Sequence, residues 1–424
     1  MSRVMGRRLP GSTSPIWVAC GAALAGVATY VLLVVTARAL GPSGYGEFSL
    51  FWSAIVVVSL GAFLPVEQVL ARRGAGAGEG SLLRRGVRLS SSFGLIATVL
   101  CCALWIAQGE RLGASGVVAL TVAFATAALG FVLQFPARGT LAAEHRLRGY
   151  SVVIVVDAVL RAGMVVVLWL TGVTAVWAYA AAVAISSLVC GVVGILILWR
   201  SRATDVRPRD VEMLVRPALW PEVSRLVVAM LSMQVLLNSG VIVAGLTGPG
   251  EGAAAAGELL AVITLARLPV FVTQAAQATY VSRIASSARA KDYKAVVGLV
   301  RLIGLVVGAL ALLTVLAAAV AGPQVVALVF GADYDVSWTS GVLVAAGIGA
   351  YLVASVSNDV AVALGAHRRL AVAWLVGLVV AAVIVLVLDD LVLRSTLPLL
   401  VGSLIAASLL VPGVIGRIRR LDPR

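Results

Sequence analysis

The chain is poor in the residue types on which most catalytic and metal sites depend. Charged residues make up 12% of its 424 residues, and there are four cysteines and two histidines. The cysteines all lie in apolar stretches, so we expect no disulfide, no metal site and no cofactor. His145 and His367 are isolated beside arginines, which argues against a histidine proton relay. The sequence lacks a G-x-x-x-x-G-K-[ST] motif, so the chain is not expected to be an ATP-driven pump by itself.

Long polar segments are also missing. The longest connections between apolar stretches run over about 200–220 and 321–336, which is too short for a catalytic domain. Asp333 and Asp335 form a D-x-D pattern, which in some glycosyltransferases holds a metal-bound sugar nucleotide, but it falls in a short loop predicted to lie outside the cell. We therefore expect no enzyme activity. A membrane-embedded glycan polymerase or ligase remains the weaker alternative.

Apolar sequence dominates instead. Hydrophobic residues make up 61% of the chain, and the mean hydropathy is +1.05. The sequence divides into about a dozen apolar stretches, each long enough to cross a hydrocarbon core about 30 Å thick. The predicted spans are 16–37, 47–70, 87–107, 115–135, 150–170, 174–199, 221–246, 257–281, 295–320, 337–364, 370–388 and 396–416. The first run is too long for a signal-peptide core and is predicted to be a retained helix.

The basic residues alternate along the loops. Of the 33 lysines and arginines, three fall in loops of one set, namely Arg38, Arg111 and Arg394, and three fall within apolar stretches, whereas the others fall in the opposite set of loops. The positive-inside rule therefore predicts a multi-pass protein of the bacterial cytoplasmic membrane with both termini in the cytoplasm. Cytoplasmic loops facing anionic lipids then explain the net charge of +14, and no nucleic-acid partner is expected.

The two halves of the chain resemble each other. The Leu-Gly-Pro…Gly-Glu-Phe pattern at 40–48 returns as Gly-Pro at 248–249 and Gly-Glu-Leu at 257–259, and His145 and His367 occupy matching places. Two matches in the same order predict a parallel six-plus-six repeat, with an axis along the membrane normal and a cavity between two lobes. The predicted domains are an N-terminal six-helix lobe (1–199), a cytoplasmic linker (200–220) and a C-terminal six-helix lobe (221–424).

The repeated segments are similar to those of a known family. The segments concerned are Ala37-Arg38-Ala39-Leu40-Gly41-Pro42 with Tyr45-Gly46, Arg267-Leu268-Pro269, Phe330-Gly331-Ala332-Asp333-Tyr334 and Ala363-Leu364-Gly365-Ala366-His367-Arg368-Arg369. In these segments, which are spread over essentially its whole length, the chain resembles the polysaccharide (Wzx-type) flippases of the multidrug/oligosaccharidyl-lipid/polysaccharide (MOP) exporter superfamily.

This resemblance implies an all-α, MATE/MOP-like fold of about twelve transmembrane helices in two six-helix lobes. The first, second, seventh and eighth helices would wall a central cavity. The implied substrate is an oligosaccharide on undecaprenyl pyrophosphate, moved from the cytoplasmic to the outer leaflet, and the implied partners are a polysaccharide polymerase and glycosyltransferases. Related drug antiporters typically use an acid within the membrane, often in the first helix, and the span 16–37 contains none.

Three arginines are candidate substrate-binding residues. Arg267 lies near the middle of the eighth span beside Pro269, with no acid three or four positions away. We favour a cavity cation for pyrophosphate or acidic sugars over an ion pair with another helix. Arg225 lies one turn into the seventh span with Glu222 at i−3, which makes a paired arginine at the membrane rim the default. Arg38, at the outer end of the first span, could hold the headgroup or anchor the helix at the interface.

The remaining polar residues within spans leave alternatives open. Asp157 and Arg161 are spaced i, i+4, which favours a structural ion pair. Glu67 and Asp359 lie near cytoplasmic helix ends, and either could couple transport to a cation. Four amides on the seventh and eighth spans could bind sugar hydroxyls or join helices; they are Gln234, Asn238, Gln274 and Gln277, of which Asn238 and Gln274 are the preferred binding candidates.

The sequence thus predicts a flippase for lipid-linked oligosaccharide that works by alternating access. The alternative within the superfamily is a cation-coupled exporter of drugs or other small molecules, which would favour acids over arginines in the cavity.

Overall fold

The computed structural model describes residues 16–73, 79–202, 219–247, 251–364 and 370–419. Within these ranges the chain forms thirteen α-helices and one π-helix and contains no β-strand. The elements are α1 (Ile16–Val58), the π-helix (Ser59–Phe63), α2 (Leu64–Arg73), α3 (Glu79–Ala107), α4 (Gly109–Ala143), α5 (Leu147–Leu170), α6 (Val176–Arg202), α7 (Trp220–Leu246), α8 (Glu251–Ala266), α9 (Leu268–Arg289), α10 (Tyr293–Phe330), α11 (Trp338–Ala363), α12 (Leu370–Val387) and α13 (Leu391–Arg419). Most of the predicted linker, the Gly-Pro repeat at 248–249 and His367 lie outside the described residues.

Ten helical stretches in the described ranges are long and apolar enough to cross a membrane, and a pair of helices bent by 43° adds an eleventh. The first stretch, Trp17–Arg73, has 57 residues, which corresponds to about 85 Å of helix against a hydrocarbon core of about 30 Å. Gly41 interrupts it with a positive φ of 66°, which glycine adopts without strain, and Pro42 follows. This stretch therefore supplies two spans. The protein is a multi-pass membrane protein, and the predicted all-α fold of about twelve spans is confirmed.

The helices alternate in direction, so their ends gather at two ends of the bundle. We call the end where α1 begins and α13 finishes the terminal end, and the other the Gly41 end. Helices α1 and α8 pack extensively against each other across the halves, whereas the other helices of α1–α6 and of α7–α13 pack mainly within their own half. The fourth and sixth spans approach closely at Gly130, where an added Cβ would lie 2.4 Å from the Ser187 carbonyl carbon. The matching tenth and twelfth spans approach at Gly347, where an added Cβ would lie 2.9 Å from Leu399 Cγ. Small residues permit such approach between membrane helices.

The two halves meet backbone to backbone at the Gly41 end. A Cβ added to Gly46 of α1 would lie 1.7 Å from the Ala253 carbonyl oxygen of α8, and one added to Gly257 would lie 2.4 Å from the Pro42 carbonyl oxygen. No other residue type fits at either position without separating α1 from α8.

Aromatic rings extend this contact toward α10. The Tyr45 ring packs against Phe330 and Tyr334 at centroid distances of 6.3 and 6.1 Å. Burial raises the pKa of the Tyr334 hydroxyl, which stays protonated and donates to the Ala37 carbonyl at 3.0 Å. The halves are therefore closed against each other at the Gly41 end.

At the terminal end a different contact joins the halves. The Glu222 carboxylate of α7 lies 3.1 Å from Arg72 and 2.7 Å from Arg73, both on α2. The Phe93 and Trp220 rings pack beside this ion-pair group at 6.0 Å.

Helices α1 and α9 touch through a pair of aromatic rings. The rings of Tyr30 and Phe271 meet edge to face at 5.8 Å. Beyond them, Leu24 and Val27 of α1 and Val272 of α9 are exposed, at 46%, 62% and 59% of their surface. These apolar side chains are exposed on α1 and α9 between the ring contact and the terminal end.

Candidate functional site

The eighth span is broken in the middle of the bundle. Pro269 has no N–H to donate to the carbonyl four residues earlier, and α8 ends at Ala266 before α9 begins at Leu268 with a bend of 43°. The Thr264 carbonyl beside the break accepts a hydrogen bond from the Tyr30 hydroxyl of α1 at 2.7 Å. The break is thereby tied to α1 of the other half.

Arg267 is the residue at this break. Its Nη2 donates to Asn238 Oδ1 of α7 at 3.1 Å, and its Nε is buried without a hydrogen-bond partner in the described part of the chain. The titratable groups that interact with it are Tyr30 and Tyr351, which are neutral at physiological pH. No carboxylate among the described residues lies within 4.0 Å of it. Arg267 is therefore a membrane-embedded cation without a counter-charge in the described structure, which is costly unless a ligand or water meets it.

The structure brings Asn238 to Arg267 but not the other binding candidates on the same helices. Asn238 is fully buried and accepts a hydrogen bond directly from the Arg267 guanidinium. Gln274 of α9 and Arg225 of α7 are exposed. Glu222, expected beside Arg225, instead binds Arg72 and Arg73, as described above.

Arg38 lies at the Gly41 end, far along α1 from the break. Its Nε and Nη2 donate to the Val329 and Leu328 carbonyls of α10 at 2.9 and 2.8 Å. A guanidinium on the last carbonyls of a helix satisfies groups that have no intrahelical partner and complements the helix dipole. In this conformation Arg38 holds α10 against α1.

Asp359 of α11 forms a second polar site within the C-terminal half. One carboxylate oxygen accepts from Gln277 Nε2 at 2.8 Å and the other from the Tyr280 hydroxyl at 2.6 Å, both from α9. No lysine or arginine among the described residues lies within 4.0 Å of this carboxylate. The site can therefore accept a proton or a metal cation, although no cluster of three or more His, Cys, Asp or Glu side chains exists in the described ranges.

Glu67, the other acid considered for coupling, is committed to an ion pair that the sequence did not predict. It is 4% exposed, and its carboxylate lies 3.1 Å from Arg138 Nη2 of α4 and accepts from the Tyr150 hydroxyl of α5 at 2.8 Å. The charge pattern predicted Arg138 to lie in a cytoplasmic loop, and this is wrong because α4 continues to Ala143. The signal that could have located it is the apolar sequence that follows Arg138.

Asp157 and Arg161 lie on one face of α5, with 3.7 Å between Oδ2 and Nη1. The Arg161 guanidinium also covers the Trp52 ring at 5.2 Å, and Ser186 Oγ lies 3.4 Å from the Asp157 carboxylate. Both charges are thus balanced within the N-terminal half.

Comparison with solved structures identifies the fold. The chain superposes on an inward-facing multidrug resistance MATE family transporter of the MOP superfamily with a TM-score of 0.67 and 17% identity, over 95% of each chain. It superposes on a MOP superfamily transporter from Pyrococcus furiosus, described as having a binding pocket of reverse polarity, with a TM-score of 0.65 and 16% identity, over 96% of this chain and 95% of that one. The chain therefore has the fold of MATE transporters of the MOP superfamily, as predicted.

Sequence comparison adds relatives without an assigned activity. The chain is 26% identical to the uncharacterized protein Rv3630 of Mycobacterium tuberculosis, over 92% of this chain and 89% of that protein. It is 27% identical to the uncharacterized protein Rv1510 of the same species, over 94% of this chain and 91% of that protein. No family model matches the sequence.

Proposed function

We propose that the protein is a flippase that moves oligosaccharide linked to undecaprenyl pyrophosphate from the cytoplasmic to the outer leaflet of a bacterial membrane. The observation that carries this proposal is Arg267, a cation without a carboxylate partner at the broken middle of the eighth span. The superfamily fold supports transport by alternating access, with the terminal end facing the cytoplasm.

The chemistry of the substrate matches this site. The pyrophosphate diester carries about two negative charges and must lose much of its hydration to cross the bilayer core. A guanidinium offsets that loss because it donates several hydrogen bonds to phosphate oxygens and stays charged when partly desolvated. In the proposed transport cycle the headgroup reaches Arg267 between α1 and α9 while the polyprenyl chain stays in lipid.

The membrane potential can supply the driving force. Moving one elementary charge across 100 mV changes the free energy by about 2.3 kcal/mol, so a headgroup with about two negative charges is driven outward without ATP. Anionic membrane lipids would bind the basic loops at the cytoplasmic face. The glycosyltransferases that build the glycan and the polymerase that extends it are the protein partners this function predicts.

A cation-coupled exporter is the second candidate function, and Asp359 favours it. Both of its carboxylate oxygens are held by neutral donors, so a proton or a metal cation could bind there and drive a conformational change. The same site could equally return an emptied flippase to its starting state. Asp359 is therefore a candidate for coupling transport to a cation, whereas Arg267 favours a substrate with negative charge.

Reconstituted liposomes separate the two functions. The substrate is a lipid-linked oligosaccharide with a fluorescent label on its sugar, and the quencher is membrane-impermeant dithionite. We expect the protein to move the labelled sugar to the leaflet that dithionite reaches, so that its fluorescence is quenched, and to leave a cationic dye untransported. Asp359→Asn should retain single-turnover flipping and lose any stimulation by a proton or sodium gradient. Gradient-driven dye export without flipping would overturn the proposal in favour of the second candidate.

A further inference from the structure

Two amides lie one turn apart on α7, and they differ in how they are bonded. Each polar atom of the Asn238 side chain has a partner, because its Nδ2 donates to the Gln234 backbone carbonyl at 2.8 Å and its Oδ1 accepts from Arg267. Asn238 therefore acts as a positioning residue for the guanidinium. Its one acceptor oxygen is already bound by the guanidinium.

The side-chain oxygen of Gln234 differs from that of Asn238. Its Oε1 is buried and has no hydrogen-bond partner in the described part of the chain, as is true of Arg267 Nε. The two residues belong to one cluster, because Asn238 binds both the Gln234 backbone carbonyl and the guanidinium, and Gln234 and Asn238 are neighbours at i, i+4 on α7. Buried polar atoms are almost always bonded, so an unbonded acceptor and an unbonded donor in one cluster indicate a ligand that carries both a donor and an acceptor.

The second span holds this cluster at the interface between the halves. A Cβ on Gly61, within the π-helix, would lie 2.9 Å from Leu231 Cα, so α7 touches the second span less than one turn before Gln234. A π-helix within a membrane helix is a common feature of functional sites. The amide therefore lies between the halves, close to the break at Arg267.

The chemistry of the two orphan groups restricts the ligand. Arg267 Nε–H donates, and an anionic phosphate oxygen satisfies it. Gln234 Oε1 accepts, and a doubly ionised diphosphate diester has no hydrogen to donate to it. The sugar attached directly to the diphosphate carries hydroxyl and, in amino sugars, amide donors next to the phosphate. One molecule satisfies both groups only if the sugar is present.

We propose that Gln234 accepts a hydrogen bond from the first sugar of the substrate while Arg267 binds the adjacent diphosphate. The site thereby binds the glycosylated carrier lipid in preference to the carrier lipid without a sugar. This inference rests on the proposed function and gives it a specificity. The discrimination matters because carrier lipid that has lost its glycan occupies the same membrane and would otherwise compete for the site.

Binding of two short-chain lipids to the full-length protein in nanodiscs tests the inference. The probes are farnesyl diphosphate esterified to N-acetylglucosamine and farnesyl diphosphate esterified to methanol, which have equal charge. We expect the wild-type protein to bind the sugar ester about tenfold more tightly, the usual effect of one well-made hydrogen bond to a buried acceptor. Gln234→Leu, which keeps the side-chain volume, should bind both lipids with the affinity that the wild type has for the methyl ester.

Controls keep the outcomes distinct. Gln108→Leu makes the same change at the α3–α4 turn and should leave the tenfold ratio unchanged, and Gln234→Met serves if the leucine variant folds poorly. Equal affinity of the wild type for the two lipids would overturn the role of Gln234 while leaving the flippase proposal intact. An equal loss of both lipids in Gln234→Leu would also overturn it, because Gln234 would then support Arg267 itself. If the wild type binds neither lipid, the proposed function fails with it.

Discussion

Replacement of Arg267 by alanine is expected to slow headgroup translocation more than a hundredfold in reconstituted liposomes. The pyrophosphate would then enter the middle of the membrane without a counter-charge, and leaving a buried charge unpaired costs about 3–5 kcal/mol. Arg267→Lys should retain part of the rate, because lysine keeps the charge but lacks the planar set of donors. The measurement is the rate of dithionite quenching of a sugar-labelled substrate.

The same variant should remain folded, which separates a binding role from a structural one. Arg267 has no carboxylate partner in the described structure, so its removal leaves no acid unpaired there. We expect the midpoint of thermal unfolding to change by only a few degrees. Arg301→Ala, which removes an exposed arginine of α10, is the matched control and should flip at the wild-type rate. A wild-type rate in Arg267→Ala would remove this residue from the substrate path, and loss of the folded protein would assign it to an ion pair.

Replacement of Glu67 by leucine is expected to destabilise the protein by about 3–5 kcal/mol, because it leaves the Arg138 guanidinium buried without its partner. Arg138→Met should destabilise it to a similar extent for the converse reason. The double variant should recover most of the loss, since two apolar side chains of similar size replace a buried pair at little cost. Unfolding monitored by intrinsic tryptophan fluorescence in detergent gives the change in unfolding free energy for each of the three variants. The change for the double variant minus the sum of the two single changes is the coupling free energy.

The contrast with a surface pair sharpens this experiment. Glu222→Gln removes a carboxylate from partly exposed arginines and should cost about 1 kcal/mol or less. If Glu67 instead carried the coupling proton, Glu67→Gln would be as stable as the wild type and would lose only gradient-driven transport. A coupling free energy near zero between Glu67 and Arg138 would contradict the structural assignment.

Hydropathy and charge patterns were sufficient to predict the helical fold, because each span must bury its backbone hydrogen bonds within itself. The positions at which spans are interrupted were harder to predict from the sequence. Gly41-Pro42 marks the turn between the first two spans, and Pro269 marks the break in the eighth. Nothing in the sequence distinguishes the π-helix at Ser59–Phe63 from a regular turn, since it depends on how α7 packs against Gly61.

The sequence identified the site residue that has no oppositely charged neighbour on its own helix, but it did not identify contacts between residues on different helices. Arg267 stood out because no acid lies within one helical turn of it. Its contact with Asn238 joins residues on different helices, and spacing along one helix carries no information about such contacts. The pairing of Glu67 with Arg138 was not predicted for the same reason. Each lies near a helix end in the hydropathy pattern, and only the packing of α2 on α4 brings them together. The domain boundaries and the candidate binding residues remain predictions.

The two contacts that join the halves differ in chemistry, and this makes the equilibrium between conformations sensitive to ionic strength. At the Gly41 end the halves meet through backbone, rings and hydrogen bonds to neutral carbonyl acceptors, those of Arg38 included, and dissolved salt affects such contacts less than an ion pair. At the terminal end they meet through Glu222 with Arg72 and Arg73, whose side chains are 34%, 55% and 27% exposed. The screening length falls from about 8 Å at physiological salt to about 3 Å at 1 M, so concentrated salt weakens the terminal ion pairs more than the contact at the Gly41 end. A high-salt purification buffer would therefore select molecules open toward the terminal end.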